Sequence, residues 1–298
     1  MLVLKTIVHE TIWGGHRVYK MANVKGNMIG HLYSVFCREG MSNEILNGQH
    51  AGKTINEIFP LFKESVGMGK YMFFPITIAL TDAGENLSVQ VHPNDEVANI
   101  IEHKAHGKRE SWYFLEAPKE GSIINGCTCK TLEERDKLID DGRYLEIVDY
   151  LKVCAGDYVF VEPGTLHSIT AGSLVYEIEE GADYTYRFYD YDRKDINGNL
   201  RELHIEKARM ALDISAKSKI KHYTKNEEIV EKTYATKKIE YQCEYKNDTI
   251  SLVCFTLVAG NAVCDGVPVS PGMSVILWPE EQISNAAIEL AFVARMRI

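Results

Sequence analysis

Short runs of β-branched and aromatic residues, separated by turns, make up most of this chain and constrain its fold more than any other feature. These runs cover residues 71–81, 87–91, 111–116, 158–161 and 174–178, and strand-like segments resume from residue 239 onward. Runs of this length and spacing are typical of antiparallel sheets joined by tight turns. The sequence therefore predicts a mainly β protein with a few inserted helices.

Helical patterns are few. Thr54 and Glu57 have the spacing of a capping box, which predicts a short helix over residues 57–62. Further helical patterns cover residues 94–104, 131–142 and 203–214. The lysine- and glutamate-rich stretch 217–238 is predicted to be either a mobile connection or an exposed edge.

One weak internal repeat indicates two related β domains. The segments GDYVFVEP, beginning at Gly156, and GMSVILWP, beginning at Gly272, both place an alternating strand between a glycine and a proline. We therefore expect an N-terminal domain over residues 1–235 and a C-terminal β domain over residues 236–298. Because Ile283 stands where the first copy has His167, we expect no metal in the C-terminal domain. The pattern also arises by chance, so coincidence stays the alternative.

The formal net charge of −9 limits the classes of partner. A protein that binds nucleic-acid phosphates needs a basic face, so we expect no nucleic-acid partner. No apolar run reaches the length of about 18 residues that would span a membrane, and the N-terminus is not expected to be a signal peptide. The seven cysteines show no paired spacing, which favours reduced thiols and a cytoplasmic location.

Four polar side chains in or beside the predicted strands form a plausible metal site. Gln90 and His92 are two residues apart on a strand and therefore project from the same face. Glu110 begins another strand, and His167 follows a strand end. Two imidazole nitrogens, a carboxylate oxygen and an amide oxygen suit zinc and leave it a net positive charge for Lewis-acid chemistry. Spacing alone does not exclude the alternative that the histidines are ordinary surface or core residues.

An ordered series of motifs extends over much of the chain. The segments IWGG, LSVQVHPND, GKRESWYFLEA, VEPGTLHSITAG, YTYRFYDYDR and NGNLRELHIEKA follow one another between residues 10 and 213. Together they resemble the motifs of the type I phosphomannose isomerases, most closely those of the short bacterial form. The C-terminal part resembles that family in its strand pattern alone.

This resemblance implies a fold, a cofactor and an activity. The implied fold is a bicupin, in which two antiparallel jelly-roll barrels carry a few inserted helices. The implied cofactor is one zinc ion per chain, with Gln90, His92, Glu110 and His167 as its ligands. The implied activity is interconversion of mannose 6-phosphate and fructose 6-phosphate, with a small phosphorylated hexose as substrate. Both a monomer and a homodimer remain open.

The resemblance also implies roles for residues around the metal. Lys108 and Ser88 match positions that contact the substrate, and Glu177 and Arg187 match positions in the active-site cleft. Aldose–ketose isomerisation moves a proton between C1 and C2, usually through a cis-enediol. We therefore expect Glu177 to be the base and Arg187 to stabilise the enediolate or to hold the phosphate.

Structural roles compete with some of these assignments. Arg187 could instead be an ion-pair partner of Asp183 or Asp190. The carboxylates of Glu179 and Glu180 are expected to be solvated.

Three departures from the family pattern keep other functions open. Ala79 replaces the family's usual lysine, His31 its usual glutamate, and Ala182 a serine. A non-catalytic, regulatory cupin that binds sugar phosphates is therefore one alternative. A metal-dependent cupin oxygenase is another, although such enzymes usually present a metal set richer in histidine.

Overall fold

The computed structural model describes residues 1–23, 25, 27–195, 197–223 and 227–297. The chain forms two compact units. The first consists of Met1–His9, Arg17–Leu80 and Tyr223–Ile298, and the second of Glu10–His16 and Thr81–His222. The predicted boundary at residue 235 separates two repeated β domains, whereas these two units are defined by how compactly their residues pack. The predicted boundary therefore stays a prediction.

Antiparallel strands dominate the structure, which confirms the prediction of a mainly β protein. In chain order the strands are β1 (Leu2–Val3), β2 (Ile7–Gly15), β3 (Ile29–Val35), β4 (Cys37–Arg38), β5 (Met41–Ser42), β6 (Ile76–Asp82), β7 (Val89–Val91), β8 (Lys108–Glu116), β9 (Ser122–Cys127), β10 (Val148–Lys152), β11 (Asp157–Val161), β12 (His167–Ser168), β13 (Leu174–Gly181), β14 (Tyr186–Tyr189), β15 (Lys219–His222), β16 (Glu228–Val230), β17 (Tyr234–Gln242), β18 (Tyr245–Lys246), β19 (Val253–Cys264), β20 (Val267–Val269), β21 (Ser274–Leu277), β22 (Gln282–Ile283) and β23 (Asn285–Met296).

Short helices interrupt the strands. They are α1 (Arg17–Met21), α2 (Ile55–Phe62), α3 (Asp95–Glu102), α4 (Leu132–Asp140), α5 (Tyr144–Ile147) and α6 (Ile205–Ala211). The predicted helices correspond to α2, α3, α4 and α6. The sequence did not predict α1 and α5, because a helix of about one turn is too short to display a helical period.

Side-chain caps mark the starts of two helices. At α2, Thr54 accepts a hydrogen bond from the Glu57 amide, and the Glu57 carboxylate accepts one from the Thr54 amide, which completes the predicted box. At α3, Asn94 Oδ1 accepts from the Val97 amide at 2.8 Å. This cap begins a helix directly after His92 and Pro93, so the chain turns away immediately beyond that histidine.

Two antiparallel sheets build most of the second unit. In one, the strands lie in the order β10, β9, β12, β7 and β14; in the other, β15, β11, β8 and β13 are successive neighbours. The second of these sheets contributes Trp112, Phe114, Val159, Val161 and Val175 to one buried apolar cluster. Because these residues alternate along their strands, the opposite set of side chains points to the other face.

Another antiparallel sheet forms much of the first unit. Its strands lie in the order β1, β21, β19, β23, β17 and β16, and β20 pairs with β19. Phe255 of β19 and Val293 of β23 belong to its apolar core. Ile283 is 1% exposed and packs into the same core, so this position contributes an apolar side chain to packing.

The two copies of the sequence repeat have matching local structure. Gly156 precedes β11 with φ +92°, and Gly272 precedes β21 with φ +88°, a region that favours glycine. The Gly156 amide donates to the Phe114 carbonyl at 2.8 Å, and the Gly272 amide donates to the Leu257 carbonyl at 2.7 Å. The same turn therefore leads into a strand in each copy.

The charged stretch 217–238 contains β15, β16 and the start of β17, while residues 224–226 lie outside the described residues. Both β15 and β16 occupy the ends of their sheets. For these strands the exposed-edge alternative is therefore confirmed. Among the described residues, no helix combines the length and apolar character needed to cross a membrane.

Candidate metal centre and active site

One face of the β8–β13 pair changes from apolar to ionisable along its length. Trp112 of β8 lies directly opposite Glu177 of β13, and Glu110 lies directly opposite Glu179. Directly opposed residues in antiparallel strands project from the same face. Lys108, two residues before Glu110, therefore also shares this face. The apolar core thus ends at Trp112, and a row of charged groups begins beside it.

The other sheet of the second unit contributes a second row of polar side chains. Gln90 of β7 lies opposite His167 of β12 on one side and opposite Arg187 of β14 on the other. These three side chains therefore share one face. His92 follows two residues after Gln90, at the end of β7, and has the same orientation in the strand pattern.

Three of the predicted ligands meet in a buried cluster. His92 Nε2 lies 3.0 Å from Glu110 Oε2, and His167 Nε2 lies 3.2 Å from Glu110 Oε1. The three side chains are buried, and their potential ligand atoms all lie within 4.8 Å of one another. The structure thus brings together His92, Glu110 and His167, which are far apart in the sequence.

The backbone fixes the tautomer of both histidines. His92 Nδ1 lies 2.8 Å from the Tyr184 carbonyl oxygen, and His167 Nδ1 lies 2.8 Å from the Thr165 carbonyl oxygen. A carbonyl oxygen can only accept, so each Nδ1 carries the hydrogen, and in the neutral form each ring would present an Nε2 lone pair. Backbone acceptors of this kind are typical partners of metal-ligating histidines.

The cluster fits a metal because its lone pairs converge. Burial lowers the pKa of His167 to about 4, so this ring is neutral near pH 7. Burial alone would raise the pKa of Glu110, but His92 and Lys108 outweigh it and hold that pKa below its usual range. Within the described residues, Glu110 Oε1 and His167 Nε2 are buried without a hydrogen-bond partner. A divalent cation would satisfy these nitrogen and oxygen atoms together, and nitrogen and oxygen donors of this kind are found in zinc sites.

Gln90 and Ser88 lie beside this cluster. Ser88 Oγ donates to Gln90 Oε1 at 3.2 Å, and Ser88 is 4% exposed. This hydrogen bond restricts the orientation of the Gln90 amide. The roles of Gln90 as a ligand and Ser88 as a substrate contact stay predictions.

Lys108 is buried among carboxylates. Its Nζ lies 2.6 Å from Glu179 Oε1, 3.5 Å from Glu110 Oε2 and 3.9 Å from Asp183 Oδ1. Burial alone would lower the pKa of Lys108, but Glu179 and Glu110 outweigh it and raise that pKa above its usual range. Lys108 is therefore a permanent cation next to the candidate metal ligands, and its role in substrate binding stays a prediction.

The prediction that Glu179 and Glu180 are solvated is wrong. Glu179 binds Lys108, and Glu180 Oε2 lies 3.4 Å from Arg109 Nη1 with the residue 2% exposed. Strand β13 is covered on both faces over most of its length. Alternation therefore brings each carboxylate to a cation rather than to water. The position of Glu179, two residues after Glu177, was the sequence signal for its place in the site.

Glu177 is a buried carboxyl at the apolar end of the charged row. It accepts hydrogen bonds from Thr81 Oγ1 at 2.6 Å and from Trp112 Nε1 at 3.0 Å. Burial, together with repulsion from Glu179 and Glu110, raises the pKa of Glu177 to about 8. The sequence did not predict that Thr81 and Trp112 belong to the site, because neither residue type normally acts as a general acid or base.

Arg187 does not form the ion pair with Asp183 or Asp190 that the sequence left open. Its Nη1 donates to the Glu202 carbonyl oxygen at 2.7 Å. Within the described residues its Nε is buried without a hydrogen-bond partner. Asp190 instead binds Arg193 and Arg201, and Asp183 faces Lys108. Arg187 thus keeps an unused donor on the face it shares with Gln90.

Two of the departures from the family pattern lie in the first unit. Ala79 is 1% exposed on β6. The His31 ring stacks on Tyr33 with ring centroids 5.1 Å apart, and it stacks on His9 at 5.8 Å. Both side chains therefore take part in local packing.

Comparison with known proteins supplies relatives over most of the chain, although no family model matches it. Mannose-6-phosphate isomerase ManA of Bacillus subtilis (strain 168) is 35% identical over 245 residues, which are 82% of this chain and 76% of that protein. The mannose-6-phosphate isomerase of Streptococcus mutans is 34% identical over 210 residues, which are 70% of this chain and 66% of that protein.

A solved structure has the same fold. The crystal structure of the mannose 6-phosphate isomerase from Bacillus subtilis matches with a TM-score of 0.80 at 25% identity, over 100% of this chain and 99% of that one. This match confirms the predicted bicupin fold. The extent and identity of the ManA match show the family: this chain belongs to the mannose-6-phosphate isomerases.

Proposed function

We propose that this protein interconverts mannose 6-phosphate and fructose 6-phosphate and that one zinc ion per chain assists the reaction. The observation that carries the proposal is the buried cluster of His92, Glu110 and His167, with Glu177 next to it. The names of its relatives support the same reaction and a phosphorylated hexose as substrate.

Zinc would be held by His92, Glu110 and His167, with Gln90 as the fourth ligand. When bound, the ion supplies Lewis-acid polarisation of a substrate oxygen. Zinc is favoured because nitrogen and oxygen donors suit this redox-inert ion, and because two histidines are fewer than cupin oxygenases usually present.

Proton transfer is assigned to Glu177. It takes the proton from C2 of the aldose and returns it to C1 on the same face, through a cis-enediol. A base must be near half-ionised at the working pH to perform both steps well. The raised pKa of Glu177, about 8, supports this role, and a dication at the neighbouring cluster would lower it toward neutrality.

The cations are assigned to the charges of the substrate. Arg187 stabilises the negative charge that develops on the enediolate, because its Nε–H has no protein acceptor within the described residues. Lys108 and Ser88 bind substrate oxygens in the ground state. Their burial next to Glu110 and Gln90 supports contact with the sugar end of the substrate.

An isomerase assay with mannose 6-phosphate tests the proposal. We expect activity in the purified protein, loss of activity after treatment with a zinc chelator, and recovery on adding zinc. Zinc content should be measured by mass spectrometry on the same samples. Stoichiometric iron with no isomerase activity would favour an oxygenase, and stoichiometric zinc with sugar-phosphate binding but no turnover would favour a regulatory cupin.

A further inference from the structure

Two hydrogen bonds fix the Glu177 carboxylate, one to each oxygen. Thr81 Oγ1 donates to Oε2 at 2.6 Å, and Trp112 Nε1 donates to Oε1 at 3.0 Å. Thr81 is 0% exposed, Trp112 1% and Glu177 5%, so water does not compete for these bonds. A carboxylate oxygen has room for a second hydrogen bond. Glu177 can therefore still accept a proton while its orientation is held.

Packing on its neighbours restricts movement of the Trp112 ring. It packs edge-on against Phe114, with centroids 6.5 Å apart, and edge-on against His167 at 5.6 Å. Its indole N–H can only donate, so the polarity of its bond to Glu177 cannot reverse. One rigid side chain thus contacts both a proposed metal ligand and the proposed base.

Thr81 completes the arrangement from β6. A β-branched side chain on a strand has restricted rotation about χ1, so its hydroxyl is held toward Glu177. A hydroxyl that donates to a charged acceptor makes one of the stronger hydrogen bonds found in proteins. Together the two donors favour one orientation of the carboxylate over the others that its side chain could adopt.

We propose that Thr81 and Trp112 are positioning residues for the isomerisation, which hold the Glu177 carboxylate in the orientation that moves the proton between C1 and C2. This inference rests on the proposed function and on Glu177 as the base. Misplacing a reacting group by about 1 Å can slow a reaction by about 100-fold. The two donors should therefore matter for turnover more than for substrate binding.

The matched pair Thr81→Val and Thr81→Ser tests the hydroxyl. Valine keeps the size and branching of the side chain but removes the donor, whereas serine keeps the donor. We expect Thr81→Val to lower kcat by about 10- to 100-fold with KM nearly unchanged, and Thr81→Ser to keep most of kcat. Trp112→Phe removes the other donor while retaining an aromatic ring and should also lower kcat.

A kinetic isotope effect separates positioning from general damage to the fold. With mannose 6-phosphate deuterated at C2, a misplaced base should make proton transfer more rate-limiting, so the isotope effect on kcat should be larger in Thr81→Val than in wild type. Zinc content and melting temperature are measured for each variant. An equal loss of kcat in Thr81→Val and Thr81→Ser, or an unchanged isotope effect in Thr81→Val, would overturn the inference.

Glu177→Gln, assayed in parallel, distinguishes failure of the positioning role from failure of the proposed isomerase function. Wild-type protein without isomerase activity would refute the proposed function itself. Active wild type, inactive Glu177→Gln and fully active Thr81→Val would leave that function standing and refute the positioning role alone. Active Glu177→Gln would remove Glu177 as the base and the positioning role with it.

Discussion

His167 Nδ1 lies 2.8 Å from the carbonyl oxygen of Thr165. That contact fixes the hydrogen on Nδ1 and leaves the Nε2 lone pair directed at Glu110 Oε1, 3.2 Å away. Two acceptors at this distance, both buried, repel each other unless a cation lies between them. The arrangement makes metal binding the central expectation for the site.

The first prediction concerns metal content. Wild-type protein should retain one zinc per chain after dialysis, and Glu110→Gln should retain none, because the amide lacks the charge that offsets the cation. Metal analysis by mass spectrometry checks both, and Glu133→Gln on the exposed surface of α4 is the control. One zinc in Glu110→Gln would contradict this prediction. Two zinc ions in wild type would contradict it as well, together with the expectation that the C-terminal domain holds no metal.

His92→Ala should abolish isomerase activity and leave the protein folded. The apolar clusters around Trp112 and Val159 do not depend on the His92 ring, so loss of a ligand should remove the metal without unfolding the domain. Circular dichroism and size-exclusion chromatography check the fold. A protein that aggregates or unfolds on this substitution would show instead that the metal is structural.

Arg187→Ala should lower kcat and kcat/KM together. If Arg187 stabilises charge that is present in the enediolate alone, its loss should cost about 30- to 1000-fold. Steady-state kinetics with mannose 6-phosphate measures the effect, and Arg143→Ala, an exposed arginine paired with Glu146, is the control. A change confined to KM would reassign Arg187 to the phosphate.

Lys108→Ala should raise KM more than it lowers kcat. The substitution also leaves the carboxylates of Glu179 and Glu110 without their cation, which should cost about 3–5 kcal/mol of stability in the metal-free protein. Kinetics and urea unfolding test the two effects separately, with the exposed Lys53→Ala as control. Unchanged KM would mean that Lys108 neutralises charge in the site and does not bind substrate.

The lowered pKa of Asp190 leads us to expect that the stability of the fold depends on pH. Burial alone would raise the pKa of Asp190, but hydrogen bonds from Arg201 and Arg193 outweigh it and hold that pKa below its ordinary value of 3.8. The ionised form is therefore favoured in the folded state, so its stabilisation is present above 3.8 and is lost as the pH falls through the lower folded pKa.

Asp190→Asn should accordingly destabilise the metal-free protein at pH 7 by about 2 kcal/mol. The difference from wild type should shrink toward about pH 3. Urea unfolding at both pH values measures it, and the exposed Asp192→Asn is the control. A difference that is the same at both pH values would show that the ionised carboxylate is not its source.

The sequence alone was enough to predict the class of fold and the residues of the candidate metal cluster. Alternation along predicted strands placed Gln90 and His92 on one face, and capping residues such as Thr54 marked helix starts, because both signals are local. The motif series then related these residues to a known family. Nothing in that reasoning required knowledge of which strands are neighbours.

Tertiary structure decided which groups meet, because strand pairing and sheet packing join residues far apart in the chain. It placed Thr81 and Trp112 on the two oxygens of Glu177 and brought Glu179 to Lys108 instead of to water. It also assigned Asp190 to Arg193 and Arg201, leaving the Arg187 Nε–H without an acceptor in the described part of the chain. Burial and charge pairing between residues far apart in the sequence decide pKa values and decide which hydrogen-bond donors stay available. Such effects leave no local pattern in the sequence.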